Sequence, residues 1–124
     1  MPSIQRPLSG DVLVFDIDEE RERAADPQLI DRSGRNARTL VKDGPLRVTL
    51  VVLGPGAELA EHEAPGPITV QVVEGRIRFG TGEEEHDLGP GQLLAAGPGI
   101  RHRVASDEGA AFLLTVSHPA QTAV

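Results

Sequence analysis

The chain has 124 residues, enough for one domain with a real core and too few for two, and it carries a formal net charge of −7 with no cysteine. Absence of cysteine excludes a disulfide framework and a thiolate metal site, and an acidic chain with three Phe, no Trp and no Tyr lacks the basic, aromatic-studded surface that grips nucleic acid. No apolar run approaches the roughly 20 residues of a membrane helix and the first residues have no apolar signal core, so a cytoplasmic protein is expected, with neither membrane nor nucleic acid as partner.

In chain order, residues 1–11 read as a polar arm leading into a short strand over residues 12–17. Asp16 stands three residues before Glu19, ahead of the charged run Glu20 to Arg23, which predicts a capped helix near residues 18–25 ended by Asp26-Pro27, its charges solvated. Turn formers then dominate residues 28–36. Two alternating runs, residues 37–41 and 46–53, flank Lys42-Asp43-Gly44-Pro45 and predict a hairpin. Alternation places Leu46, Val48, Leu50 and Val52 on one face of the second run and Arg47, Thr49, Val51 and Leu53 on the other, so something must cover the outer face.

Further short strands are expected at residues 58–60, 68–73, 76–80, 86–88, 92–96, 101–105 and 111–116, separated by glycine turns, with hairpins closed at Glu74-Gly75 and at residues 107–109. Gly75 and Gly99 are expected in tight turns that tolerate a side chain poorly. Residues 119–124 read as a tail. With nothing long and helical between the strands, a sandwich or barrel is favoured over a parallel sheet.

Two stretches carry chemistry. In the first, Gly56 is followed after five residues by His62, and the strand that comes next ends in Glu74-Gly75; in the second, Gly91, Pro98, Gly99 and His102 follow in order. The chain has no Gly-x-Ser-x-Gly elbow and no phosphate-cradling loop, and the carboxylates Glu83 to Glu85 sit on a polar loop with no apolar walls to shift a pKa. Strands that alternate inward and outward can bring His62 and His102 together in a barrel mouth.

These spacings resemble the paired motifs of the cupin superfamily, in particular its compact bacterial single-domain members. The first motif has a second histidine and a glutamate where this chain has Ala64 and Ile68 or Thr69; the second has proline at Gly97 and asparagine at Ser106. The resemblance implies an all-β double-stranded β-helix, the jelly-roll cupin barrel, over residues 37–118, with residues 1–36 as an arm, short strand and helical segment packing on it, in one domain. It also implies a small-molecule pocket in the mouth, expected here from His62 and His102 with apolar walls from Val70, Val72, Ile77, Phe79, Val104 and Leu114.

Three readings follow: a small-molecule-binding protein; a metal-dependent oxygenase or isomerase; a regulatory or partner-binding module. The second requires a divalent metal (Fe, Mn, Ni or Zn) on His62 and His102, with Glu58, Glu61, Glu63, Gln71 and His118 as the candidates to complete the set. A homodimer is expected from the surplus of apolar side chains, its interface at the N-terminal strands and the outward residues of the second run, Val51 and Leu53 among them.

Overall fold

The computed structural model describes residues 7–118; the expected tail, and the first residues of the arm, lie outside them. Two helices come first, α1 (Ile17–Ala24) and α2 (Pro27–Ser33). Nine strands follow: β1 (Arg35–Asp43), β2 (Leu46–Leu53), β3 (Glu58–His62), β4 (Ile68–Gly75), β5 (Ile77–Thr81), β6 (Glu84–Leu88), β7 (Leu93–Ala96), β8 (His102–Ala105) and β9 (Ala110–Ser117). They form two antiparallel sheets, one in the order β1-β2-β9-β4-β7 and the other β3-β8-β5-β6. The expected all-β jelly roll is the observed fold.

Between the sheets lies one apolar cluster. Val51, Leu53, Ile68, Val70, Val72, Ala110 and Phe112 enter it from the first sheet, and Ile77, Phe79, Leu88 and Val104 from the second. Period-two alternation is what makes this possible: in β4, Ile68, Val70 and Val72 are buried while Gln71 between them is exposed.

A second cluster lies on the outer face of the first sheet, where Ala24, Leu40, Leu50, Val52 and Ala111 are buried with Phe15, Ile17 and Ile30 packed against them. Full burial of a side chain such as Leu40 or Leu50 contributes about 1.5–3 kcal/mol, so this helical layer stabilises the fold as well as shielding the sheet.

Several expectations are corrected here. Residues 12–16 form no strand; Val12 and Val14 are 80% and 88% exposed, and with no neighbouring strand an alternating apolar run has nothing to pair with. Helix α1 does begin as expected, the Asp16 carboxylate accepting from the Glu19 amide at 3.2 Å. Asp26-Pro27 ends it but also starts α2: the Asp26 side chain accepts from the Gln28 amide at 3.0 Å, and Pro27 occupies the first turn, where its missing N–H costs nothing.

Nor are all the charges of α1 solvated. Glu20 is 5% exposed and its carboxylate accepts from the Arg38 guanidinium of β1 and from Arg23, the latter at 3.3 Å. This ion pair pins the helix to the sheet.

Two expected hairpins are sheet crossings. β4 belongs to the first sheet and β5 to the second, as β9 and β8 do, so the chain steps between layers at Gly75 and at residues 106–109. The β2–β3 connection crosses at the same end. All three crossings are tied by Ser106, 2% exposed. Its hydroxyl donates to the Arg76 carbonyl at 2.7 Å and accepts from the Gly109 amide at 3.0 Å, while its own amide donates to Ala57 at 3.0 Å and its carbonyl accepts from Gly56 at 2.9 Å. A serine at the asparagine position of the motif thus closes the base of the barrel.

The faces of β2 are also reversed with respect to solvent. Val51 and Leu53 point between the sheets, and Leu50 and Val52 point outward under α1 and α2. The premise of a dimer through Val51 and Leu53 therefore fails, because the helices already cover the outer side of this strand.

Candidate functional site

The open end of the barrel is built from the β3–β4 connection and the turn before β8. The β3–β8 ladder, irregular between Leu59 and His62, brings His62 opposite His102. Their rings stand 4.3 Å apart at 63°, edge to face, and His102 stacks on Phe79 at 5.1 Å and 16°. The two histidines singled out by the cupin-like spacing are in ring contact, and Phe79, one of the expected wall residues, stacks on His102.

Both histidines are oriented in the same way. Nδ1 of His62 lies 3.0 Å from the carbonyl of Ala60, and Nδ1 of His102 lies 3.0 Å from that of Ile100. A carbonyl oxygen only accepts, so each Nδ1 carries the proton and each neutral ring is left with a bare Nε2 acceptor. His102 is 4% exposed, whereas His62 is open to solvent.

Burial is the main cause that lowers the His102 pKa from its ordinary value; the Ile100 carbonyl works the other way, and His62 adds a smaller lowering. Because the folded state then binds a proton less readily than the unfolded chain, this histidine costs no stability above its ordinary value of 6.5. Stability is lost as pH falls from there through the lower folded value. Thermal unfolding between about pH 8 and pH 5 should show a drop that is reduced in His102→Phe, which keeps the ring on Phe79 but cannot titrate; an unchanged drop would assign it to the carboxylates.

The remaining candidates divide clearly. Val70, Val72, Ile77, Phe79 and Val104 are each at most 3% exposed in the core, with Leu114 half-buried against it. Val72 and Ile77 flank the Gly75 crossing and so stand toward the base, away from the histidines. Glu58 sits at the far end of β3, opposite Ala105, and Glu61 is engaged by Arg101 at 2.9 Å. Glu63 lines an open cavity of about 480 Å³ at the rim with Ala64, Pro65, Pro98 and Gly99. Gln71 is on the outer face of the first sheet, and the His118 backbone is held by the Pro45 carbonyl at 2.7 Å.

The donor set does not fit a metal centre with three protein ligands. Among the described residues no three His, Asp or Glu side chains are grouped to hold an ion. The positions that the motif reserves for further ligands hold Ala64, packed against the core, and either Ile68, 3% exposed, or the half-buried Thr69. Two imidazoles remain, His62 open to solvent and His102 buried against Phe79.

Two facing antiparallel sheets joined by crossings at a stapled base, with histidines at the open end, define a double-stranded β-helix protein. The chain belongs to the cupin domain family, whose model matches residues 49–117. Among solved structures it is similar to an uncharacterized conserved protein with a double-stranded β-helix domain from Klebsiella pneumoniae subsp. pneumoniae (22% identity, 86% of this chain and 90% of that one, TM-score 0.71). It is also similar to a conserved protein of unknown function from Streptococcus pyogenes (23% identity, 93% and 95%, TM-score 0.69). A cupin-2 domain containing protein from Shewanella frigidimarina is a third (14% identity, 85% and 95%, TM-score 0.69). At these identities the likeness is one of fold. No curated protein matches the sequence. No helix among the described residues is long and apolar enough to cross a membrane.

Proposed function

We propose that this cupin binds a small neutral organic molecule in its mouth, through hydrogen bonds donated by the ligand to Nε2 of His62 and His102. The observation that carries this reading is the shared orientation of the two rings, each with Nδ1 committed to a backbone carbonyl and Nε2 bare. Ala64 and Ile68, part of the same apolar cluster as Phe79, suit an apolar body, with Val70, Val104 and Leu114 as further walls. Anions are disfavoured by Glu63 on the rim and by the net charge of −7. A cytoplasmic setting and a homodimer belong to the same reading.

The metal-dependent alternative needs a ligand from outside the described group, and a pure partner module leaves the buried His102 without a role. Phenol and benzoate separate the first two readings, since they share a body but only phenol has a proton to donate at neutral pH. Phenol, with a single proton to donate, should shift the Nε2 nitrogen resonance of His102, and His102→Phe should weaken its binding by roughly tenfold, the worth of about one hydrogen bond. Benzoate should do neither. Equal response to both probes would sink the reading. One equivalent of Zn²⁺ or Fe²⁺ retained by protein prepared without a chelating column, and lost in both His62→Ala and His102→Ala, would replace it with the metal-dependent one.

A further inference from the structure

Strand β3 changes face part-way along. Leu59 packs against the interior cluster, and strict alternation from it would turn Glu61 and Glu63 inward and His62 and Ala64 outward. The structure has the opposite. His62 stands against the His102 ring and Ala64 packs against the interior, while Glu61 is held on the exposed side by Arg101 at 2.9 Å. The ladder shows where the parity changes: Leu59 pairs with Val104 and His62 with His102, so Ala60 and Glu61 of β3 together lie opposite Arg103 of β8. This is a bulge of one extra residue, a device that re-aims the side chains beyond it. It is the Ala60 carbonyl, within the bulge, that accepts from Nδ1 of His62.

The cause lies in what would otherwise face His102. In an unbulged ladder the residue opposite His102 is Glu61. His102 is buried on Phe79 with its Nδ1 committed to Ile100, so toward β3 it offers only a bare acceptor. A carboxylate placed there would leave water without gaining a donor, whereas on the outer side it meets a guanidinium. An imidazole in the same place brings no charge and packs edge to face on the His102 ring.

We infer that Glu61 is a positioning residue for the mouth: its exclusion from the interior, with Arg101 as its outer partner, sets the bulge that turns His62 toward His102. The bulged strand presents two neutral acceptors to a ligand. The unbulged strand would present the Glu61 carboxylate beside one imidazole, a pairing that suits a cation instead. This consequence for the ligand rests on the hydrogen-bonding reading proposed above; the register of β3 does not.

NMR of the ligand-free full chain tests the register. Wild type should show NOEs between the His62 and His102 rings. In Glu61→Leu the new side chain gains by turning inward, so the ring NOEs should be lost, and cross-strand backbone NOEs to His102 should come from position 61 in place of position 62. Glu61→Asp, which keeps the charge, should keep the wild-type pattern. Deletion of Ala60 gives a second background in which plain alternation from Leu59 already carries His62 inward, so Glu61→Leu made there should retain the ring NOEs. Ring NOEs that persist in Glu61→Leu of the full chain overturn the inference, as does their loss in Glu61→Asp or their equal loss with and without Ala60. Resorcinol, which adds a second proton to the body of phenol, should bind wild type roughly tenfold more tightly than phenol and lose that advantage in Glu61→Leu. Equal affinities of the two probes for wild type, with the NOEs changing as described, would support the register and count against the ligand reading alone.

Discussion

Gly75→Ala is expected to destabilise the protein by about 3 kcal/mol or more. Gly75 has φ of 74°, where an alanine costs about 1–2 kcal/mol on its own. A Cβ there would also lie 2.2 Å from the Gly109 carbonyl oxygen and 2.9 Å from the Ala110 Cα. Both atoms are backbone, at the start of β9, and Gly109 is held by Ser106, so no rotamer change relieves the overlap. Gly99 provides the internal control. Its φ is also 74°, yet the nearest atom to an added Cβ is the Glu63 Oε2 at an ordinary 3.6 Å. Gly99→Ala should therefore lose only the conformational part, about 1–2 kcal/mol. Denaturant unfolding of the two variants decides the matter; equal losses would mean that the base of the barrel yields and that steric overlap is not the cause.

Arg38→Ala is expected to cost about 2–3 kcal/mol, somewhat below the 3–5 typical when one partner of a fully buried pair is removed. The Glu20 side chain is 7% exposed while that of Arg38 is 27% exposed, so the variant strands a carboxylate that water reaches poorly. Arg23 remains near Glu20 but is 57% exposed, which limits the compensation it can supply. The reverse change, Glu20→Gln, leaves a half-open guanidinium that can hydrate and should lose only about 1 kcal/mol. Hydrogen exchange should show α1 amides losing protection in Arg38→Ala before those of β9. A loss under about 1 kcal/mol, with α1 still protected, would show that the apolar layer of Leu40, Leu50 and Val52 holds the helix without the ion pair.

Most strand positions were legible in the sequence because they are short apolar or alternating runs bounded by glycine or proline, and the cupin-like spacing from Gly56 to His62 and from Gly91 to His102 singled out the mouth histidines. Pairing was less legible. Glu74-Gly75 and Asp107-Glu108-Gly109 have the turn chemistry of hairpins, yet they carry the chain from one sheet to the other, since a glycine permits either path and only the partners across the barrel select one. The same limit applied to β2, apolar on both faces in its second half: Val51 and Leu53 belong to the interior because β9 aligns them with Phe112 and Ala110. Glu20 read as one more wet charge in a charged helix. Its burial depends on Arg38, 18 residues away, and no local pattern reports such a partner.

The staple at Ser106 bears on how the molecule is made. It binds Arg76, 30 residues back, and reaches as far as Gly56, so the groups that close the base are far apart in the chain. Contacts of this kind must overcome loop-closure entropy before they return any stabilisation, which places the barrel with slowly folding β topologies. A nascent chain that has not yet reached residue 106 holds β1, β2, β4 and β5 without the residue that ties their crossings or the central strand, β9, that lies between β2 and β4. Closure is therefore an act of the last fifth of the sequence, and the interval before it leaves the most apolar strands open to one another.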